Sequence, residues 1–263
     1  MVRWIAGIPH RRSPGLIRRA GRDWRIDTAP RHSSVIKALR TGCRWLCIIF
    51  VSFAIAFVLL HLGRRTEWFK EKVYQQLVSG DESRRLQAAS VLAMVGGEAQ
   101  LLRGLKSTDE TVSEMARRGL DHLWFHAAGK TAYGMLEAAY ALSEEKKYEE
   151  SVEVLDKLLV LYPNYAEALN RRAAACWQLG EYDKSREDCE RALSINPNHY
   201  GAWQGLGIAQ LQTGDIAGAC QSLRMALRIS PNDRVAQRCL KKVEELMRVI
   251  PGHGVPRREA DSV

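Results

Sequence analysis

With 263 residues, 46% hydrophobic and 26% charged, the chain has the ordinary make-up of folded protein and room for one large domain or two small ones. The net charge of +9 is local: residues 1–66 carry 13 Lys/Arg against 2 Asp/Glu, whereas 67–130 balance 9 against 9 and 131–250 balance 15 against 17. Basic character therefore belongs to an N-terminal arm, which excludes a basic surface on the rest of the chain, and no nucleic-acid partner is expected. The six cysteines, at 43, 47, 176, 189, 220 and 239, form no CxxC pair and no zinc-like spacing, and they announce no disulfide framework.

Residues 1–42 are Arg-rich with Pro and Gly breaks, and read as a disordered arm or one lying on anionic lipid heads; an organellar transit peptide has the same composition. The next stretch, 45–60, has no charge, and 43–62 is long enough as a helix to span ~30 Å of hydrocarbon. A transmembrane helix over 43–62 is the expectation, with Trp45 and Trp68 as interfacial anchors. A cleaved signal peptide fits less well, because over forty residues precede the span and no small-residue pair follows it. Lys and Arg counts, five before and four after, lean the N-terminus of this single-pass membrane protein to the cytoplasmic side.

From 67 to 128 there is no Pro, and apolar residues recur at helical spacing. Gly80-Asp81, Gly96-Gly97 and Ser107-Thr108-Asp109 punctuate the stretch as turns and caps. Laying Asp81-Glu82 on Asp109-Glu110 also pairs Ala88 with Ala116 and Leu92 with Leu120. That pattern resembles short HEAT-like repeats, which implies a connector that continues a helical stack. His122 and His126 share a helix face, but no Glu follows His122 and no third ligand is near, so no metal site is expected.

Pro163, Pro197 and Pro231 are 34 residues apart, in YPNYAEAL, NPNHYGAW and SPNDRVAQ. Trp203, Leu206 and Gly207 open one unit, Gly214-Asp215 turns it, and Ala219, Leu223 and Ala226 face inward. The preceding unit has Leu169, Ala173, the turn Gly180-Glu181, Ser185, Cys189 and Ala192; the first has Ala138, Ala139, Ser151, Leu155 and Leu158, with Lys146-Lys147 at its turn. Residues 132–233 thus resemble three tandem tetratricopeptide repeats, at 132–165, 166–199 and 200–233. An amphipathic stretch at 234–250 reads as their cap, with Val235, Cys239, Val243 and Leu246 inward, and 251–263 as a frayed tail. The fold class expected is an all-α, right-handed helical-repeat solenoid of three units and a capping helix, preceded by HEAT-like helices and one transmembrane helix.

The resemblance implies a concave groove, lined by the first helix of each unit, for an extended peptide or a partner helix. Mapped onto this chain it offers Tyr133, Leu136 and Tyr140; Glu167, Asn170, Ala174, Trp177 and Gln178; Gln204, Ile208 and Leu211; and Arg238 and Lys242 from the cap. Leu136 and Tyr140 stand where a chaperone-tail clamp would need a Lys and an Asn, which argues against that clamp. No phosphate-binding loop, nucleophile elbow or HExxH helix is present, so no catalytic residue and no cofactor is expected. The reading is a membrane-anchored adaptor with a protein or peptide partner; the alternative is an assembly factor or accessory subunit of a membrane protein complex.

Overall fold

The computed structural model describes residues 45, 46, 48–58, 63 and 66–249. A helical stretch, α1, covers 48–58 and exposes its phenylalanines. Eleven more helices follow: α2 Glu67–Ser79, α3 Glu82–Val95, α4 Glu98–Leu105, α5 Glu110–Phe125, α6 Lys130–Glu144, α7 Tyr148–Leu161, α8 Ala166–Gln178, α9 Tyr182–Ile195, α10 Tyr200–Gln212, α11 Ile216–Ile229 and α12 Arg234–Val249. There is no strand among the described residues. The arm 1–42, parts of the stretch 43–62 and the tail 251–263 lie outside them.

The membrane expectation is corrected at α1. Among the described residues no helix is long and apolar enough to cross a membrane. The single-pass localisation, with its cytoplasmic N-terminus, is withdrawn on that finding.

The expected turns open and close helices as their chemistry dictates. Asp81 caps α3 by accepting from the Arg84 N–H at 2.9 Å, and Asp109 caps α5 by accepting from Thr111 at 2.9 Å and Val112 at 3.3 Å. Gly96 ends α3 at φ 72°, a left-handed conformation that glycine adopts without strain. Leu77, Leu92, Leu101, Leu105, Val112 and Leu120 pack between these helices. Ala88, Ala116, Leu92 and Leu120, the pairs matched by the internal alignment, are all buried.

These helices do not simply lengthen the stack. Their core includes Tyr200 and Ile229 of the third repeat unit, with Trp203 packed against it. Asn232 Nδ2 donates to the Ser107 carbonyl at 2.9 Å, and Arg234 pairs with Glu110. The α2–α5 bundle thus lies against the later units and the cap rather than ahead of the first one. Sequence periodicity sees the apolar face of each helix but not which distant surface covers it.

Between α6 and α12 the helices alternate as hairpins, each packed on the next. Leu155, Leu158, Leu169, Ala173, Cys189, Ala192 and Leu206 form one continuous core. Ala219, Leu223 and Ala226 pack with Val243 and Met247 of α12, while Cys239 and Leu246, expected inward, are half-buried. Val235, expected inward, is instead 42% exposed. At Gly207 a Cβ would come within 2.7 Å of Leu223 Cγ, so this glycine sets the close approach of α10 and α11.

Lys146, Gly180 and Gly214 occupy one position of the 34-residue period and share a left-handed backbone, at φ 61°, 79° and 85°. Only Lys146 carries a Cβ there, which costs roughly 1–2 kcal/mol of backbone strain. Lys146→Gly is expected to stabilise the protein by about 0.5–1 kcal/mol after the entropy of the glycine is counted. Thermal unfolding followed by circular dichroism checks it: Tm should rise by about 2 °C, and an unchanged or lower Tm would show that the turn is not strained.

Cys176, Cys189 and Cys220 are buried free thiols. Burial pushes the Cys189 thiol up to about 12 and that of Cys176 to about 11, so neither is a ready thiolate at neutral pH. They act as small apolar residues.

Candidate functional site

Each first helix of a hairpin turns one face away from its partner. On α8 that face carries Asn170, Ala174, Trp177 and Gln178; on α10 it carries Gln204 and Ile208. The third wall comes from outside the repeats, as Arg117, Asp121 and Trp124 of α5, and Val235 of α12 closes one end. The cleft, open on one side, holds about 480 Å³.

What holds α5 there is a set of contacts made at matching positions of successive units. Tyr165 and His199 are 34 residues apart. Tyr165 Oη donates to the Phe125 carbonyl, the Trp124 ring stacks on His199 at 4.5 Å, and Tyr200 Oη donates to Asp121 Oδ1 at 2.6 Å. Trp124 Nε1 donates to Glu98 at 2.9 Å, so this buried indole leaves no polar atom unpaired.

Beneath Trp124 lies a buried charge cluster. Glu167 accepts from Arg171 Nε at 2.6 Å and from His199 Nε2 at 2.8 Å. His199 Nδ1 accepts the Ala202 N–H at 3.1 Å, which leaves Nε2 to carry the proton donated to Glu167. Burial pushes the Glu167 carboxyl up, but the hydrogen bond from His199 and the Arg171 charge outweigh it and hold the group below its ordinary value. Asp121 goes the other way, because burial and then the nearby Glu167 charge raise it more than the Tyr200 bond lowers it.

The carboxylates of the cleft are thus already engaged: Glu167 as described, Asp121 by Tyr200, and Asp233 by the N–H groups of Val235 and Ala236. The groups left over are donors and amides. Trp177 Nε1 is buried without an acceptor, and so is Arg117 Nε, whose closest carboxylate, on Glu114, stands 3.6 Å away. The amides of Asn170, Gln178 and Gln204 stand around the same space. Such a lining can bond the backbone of an extended chain while Trp177, Ile208 and Val235 supply apolar contact.

Of the residues expected to line the groove, the structure gathers Asn170, Trp177, Gln178, Gln204 and Ile208 around this cleft. Tyr133 and Tyr140 form a cluster beside it instead. Tyr133 stacks on His126 at 4.2 Å, Phe125 meets both tyrosines edge-on, and Arg171 lies over Phe125 at 5.0 Å and over Tyr140 at 5.3 Å. Leu136 is corrected outright, being fully buried in the repeat core where no ligand reaches it. Leu211 packs towards α11 and α12, while Arg238 and Lys242 are exposed on the cap. Sequence reasoning missed Arg117, Asp121, Trp124 and His199, since nothing local to 117–124 announces a docking surface 79 residues further on.

His122 and His126 stack at 4.2 Å, and His126 Nδ1 bonds to the His122 carbonyl at 2.9 Å. Burial, then the His126 charge, lowers His122 from its ordinary value. No group of three or more potential metal ligands occurs among the described residues.

Family models of the tetratricopeptide repeat match residues 133–165, 166–199 and 190–234. No curated protein matches the chain. Among solved structures, the Sgt2 tetratricopeptide domain of Aspergillus fumigatus is similar at 23% identity and a TM-score of 0.45, over 51% of this chain and 90% of that one. The first such domain of human RPAP3 is similar at 21% and 0.44, over 45% and 93%. The Arabidopsis OM64 domain is similar at 23% and 0.43, over 44% and 95%. The helical hairpins of residues 133–234, with their shared 34-residue turn positions, are tetratricopeptide repeats.

Proposed function

We propose that this protein is an adaptor that holds a partner through an extended peptide segment seated in the cleft between α5, α8 and α10. The single observation that carries the reading is the lining: its carboxylates are engaged internally, while the amides of Asn170, Gln178 and Gln204 surround the same space beside Trp177, Ile208 and Val235. A peptide backbone supplies alternating carbonyl and N–H groups to such a set, and its side chains find apolar contact on Trp177, Ile208 and Val235. On this reading α2–α5 and the repeats, 67–128 and 132–250, act as one binding unit, because neither alone makes the cleft. Arg238 and Lys242 lie along the cap beyond Val235, where they meet a ligand that runs past the end of the cleft.

The test is selection of an immobilised library of degenerate heptapeptides by the full chain. The wild-type protein is expected to enrich a sequence pattern. A combined Asn170→Ala, Trp177→Ala, Gln204→Ala variant that keeps its helical circular dichroism is expected to lose that enrichment by tenfold or more. Equal selection by both proteins, or none by the wild type, would remove the cleft as the binding site.

A further inference from the structure

The near-neutral balance of residues 131–250 conceals an asymmetry that the fold makes visible. Residues 131–233 carry 10 Lys/Arg against 15 Asp/Glu, whereas α12 alone carries 5 against 2. Of those two carboxylates, Glu244 is taken by Arg224 at 3.0 Å. The cap is therefore a basic surface on an acidic repeat domain, which corrects the expectation of no basic surface outside the N-terminal arm.

The basic residues stand where the cleft ends. Val235 lines the cleft and is 42% exposed. Arg238 and Lys242 follow it three and seven residues on, so the three share one face of α12, while Ala236, Val243 and Met247 bury another. From Val235 to Lys242 the helix rises ~10 Å, about three residues of an extended chain. Arg117 stands at the junction, because it lines the cleft and also a smaller space of about 330 Å³ that it shares with Val235 and Arg234.

These cations are not consumed within the chain. Arg238 donates its Nε to the Arg234 carbonyl at 3.2 Å, and neither it nor Lys242 has an ion-pair partner among the described residues. Arg117 has only Glu114, at 3.6 Å, and that carboxylate already accepts from Arg118 at 3.1 Å. Arg234 pairs with Glu110, but both side chains are exposed and such a link is weak in water. Glu245, one turn beyond Lys241, is exposed and lies past the end of this ladder.

We infer that the peptide held in the cleft carries an acidic segment at its α12 end, with Asp or Glu side chains set against Arg238 and Lys242 within about three residues of the side chain that meets Val235. This rests on the function proposed above, and it adds a direction to the ligand. An acidic stretch is attracted to the cap and repelled by the acidic surface of the repeats, so charge decides which end of the peptide lies at α12.

The experiment uses the full chain and the same degenerate heptapeptides, acetylated and amidated so that no terminal charge contributes, with an Arg238→Glu, Lys242→Glu variant beside the wild type. Both side chains are exposed, and circular dichroism verifies that the variant keeps its helices. The wild type is expected to enrich Asp or Glu at one end of its pattern, and the variant to enrich Lys or Arg there with the rest of the pattern unchanged. The best wild-type peptide should bind the variant about tenfold more weakly, and raising the salt from ~50 mM to ~500 mM should shrink that difference. If the wild type shows no acidic preference, or the variant keeps the same one with the same affinity, the acidic segment is overturned while the cleft stands. If the combined Asn170, Trp177 and Gln204 variant still selects as the wild type does, or the wild type selects nothing, the underlying reading fails and this one falls with it.

Discussion

Trp124→Ala is expected to cost about 3–5 kcal/mol of stability, among the largest effects of any single substitution in this protein. The indole is 4% exposed and joins two segments that are far apart in sequence: it packs in the core of α2–α5 and, at the start of α10, stacks on His199 and lies 5.6 Å from the Tyr200 ring. Truncation leaves a void beside the cleft and orphans the Glu98 carboxylate that accepts its N–H. Denaturant unfolding of the full chain checks the magnitude. A loss below about 1 kcal/mol would mean that α5 is not fastened to the repeats through this ring. Trp124→Phe keeps the stacking but not the hydrogen bond, and should recover the larger part of the loss.

The second large effect lies one layer deeper. Glu167→Ala is expected to destabilise by about 3–5 kcal/mol, because it leaves the partly buried Arg171 guanidinium and the buried His199 ring without their shared acceptor. Glu167→Gln, of the same shape, keeps an oxygen for one of the two donors and should cost less. The wild type carries a pH signature of the same group. The Glu167 carboxyl is held below its ordinary value of 4.5, so its contribution is fully present above that pH and is lost as the pH falls through the lower folded value. Asp121, raised above its ordinary 3.8, has the opposite sign: it favours the folded state at low pH and loses that contribution as the pH rises through its folded value. Stability measured from pH 7 down to pH 3 should therefore fall on the acid side in the wild type, and the Glu167→Gln variant should show a shallower fall. Parallel curves for the two proteins would assign the acid loss to other carboxylates.

Both predictions concern residues whose distant partners the linear sequence does not show, and the reason is physical. The repeat units were legible because each is a local object. A Pro, a turn residue and a set of small inward-facing residues recur every 34 positions, and helices and hairpins of that size are set by contacts within a few tens of residues. The caps at Asp81 and Asp109 were legible for the same reason, since a cap bonds to N–H groups two or three residues away. Lys146 shows local geometry prevailing over side-chain preference, as it takes the left-handed backbone that Gly180 and Gly214 take in the other units.

The candidate cleft was half legible. Asn170, Trp177, Gln178, Gln204 and Ile208 follow from the face that the first helix of a unit presents, and they do meet around one space. Leu136 shows the limit of that mapping: a position assigned to a face by analogy went into the core, because the α6 and α7 side chains close over it. For the apolar stretch 43–62, no helix among the described residues is long and apolar enough to cross a membrane. What the sequence by itself determined is the repeat architecture, its turns and the interior of each hairpin, all encoded in short-range periodicity. Only the tertiary structure decided that α5 walls the cleft, that Trp124 fastens it to the repeats and that Glu167 is buried with its partners. Those contacts join residues 26 to 125 positions apart, and no local pattern specifies which of many apolar faces will cover which.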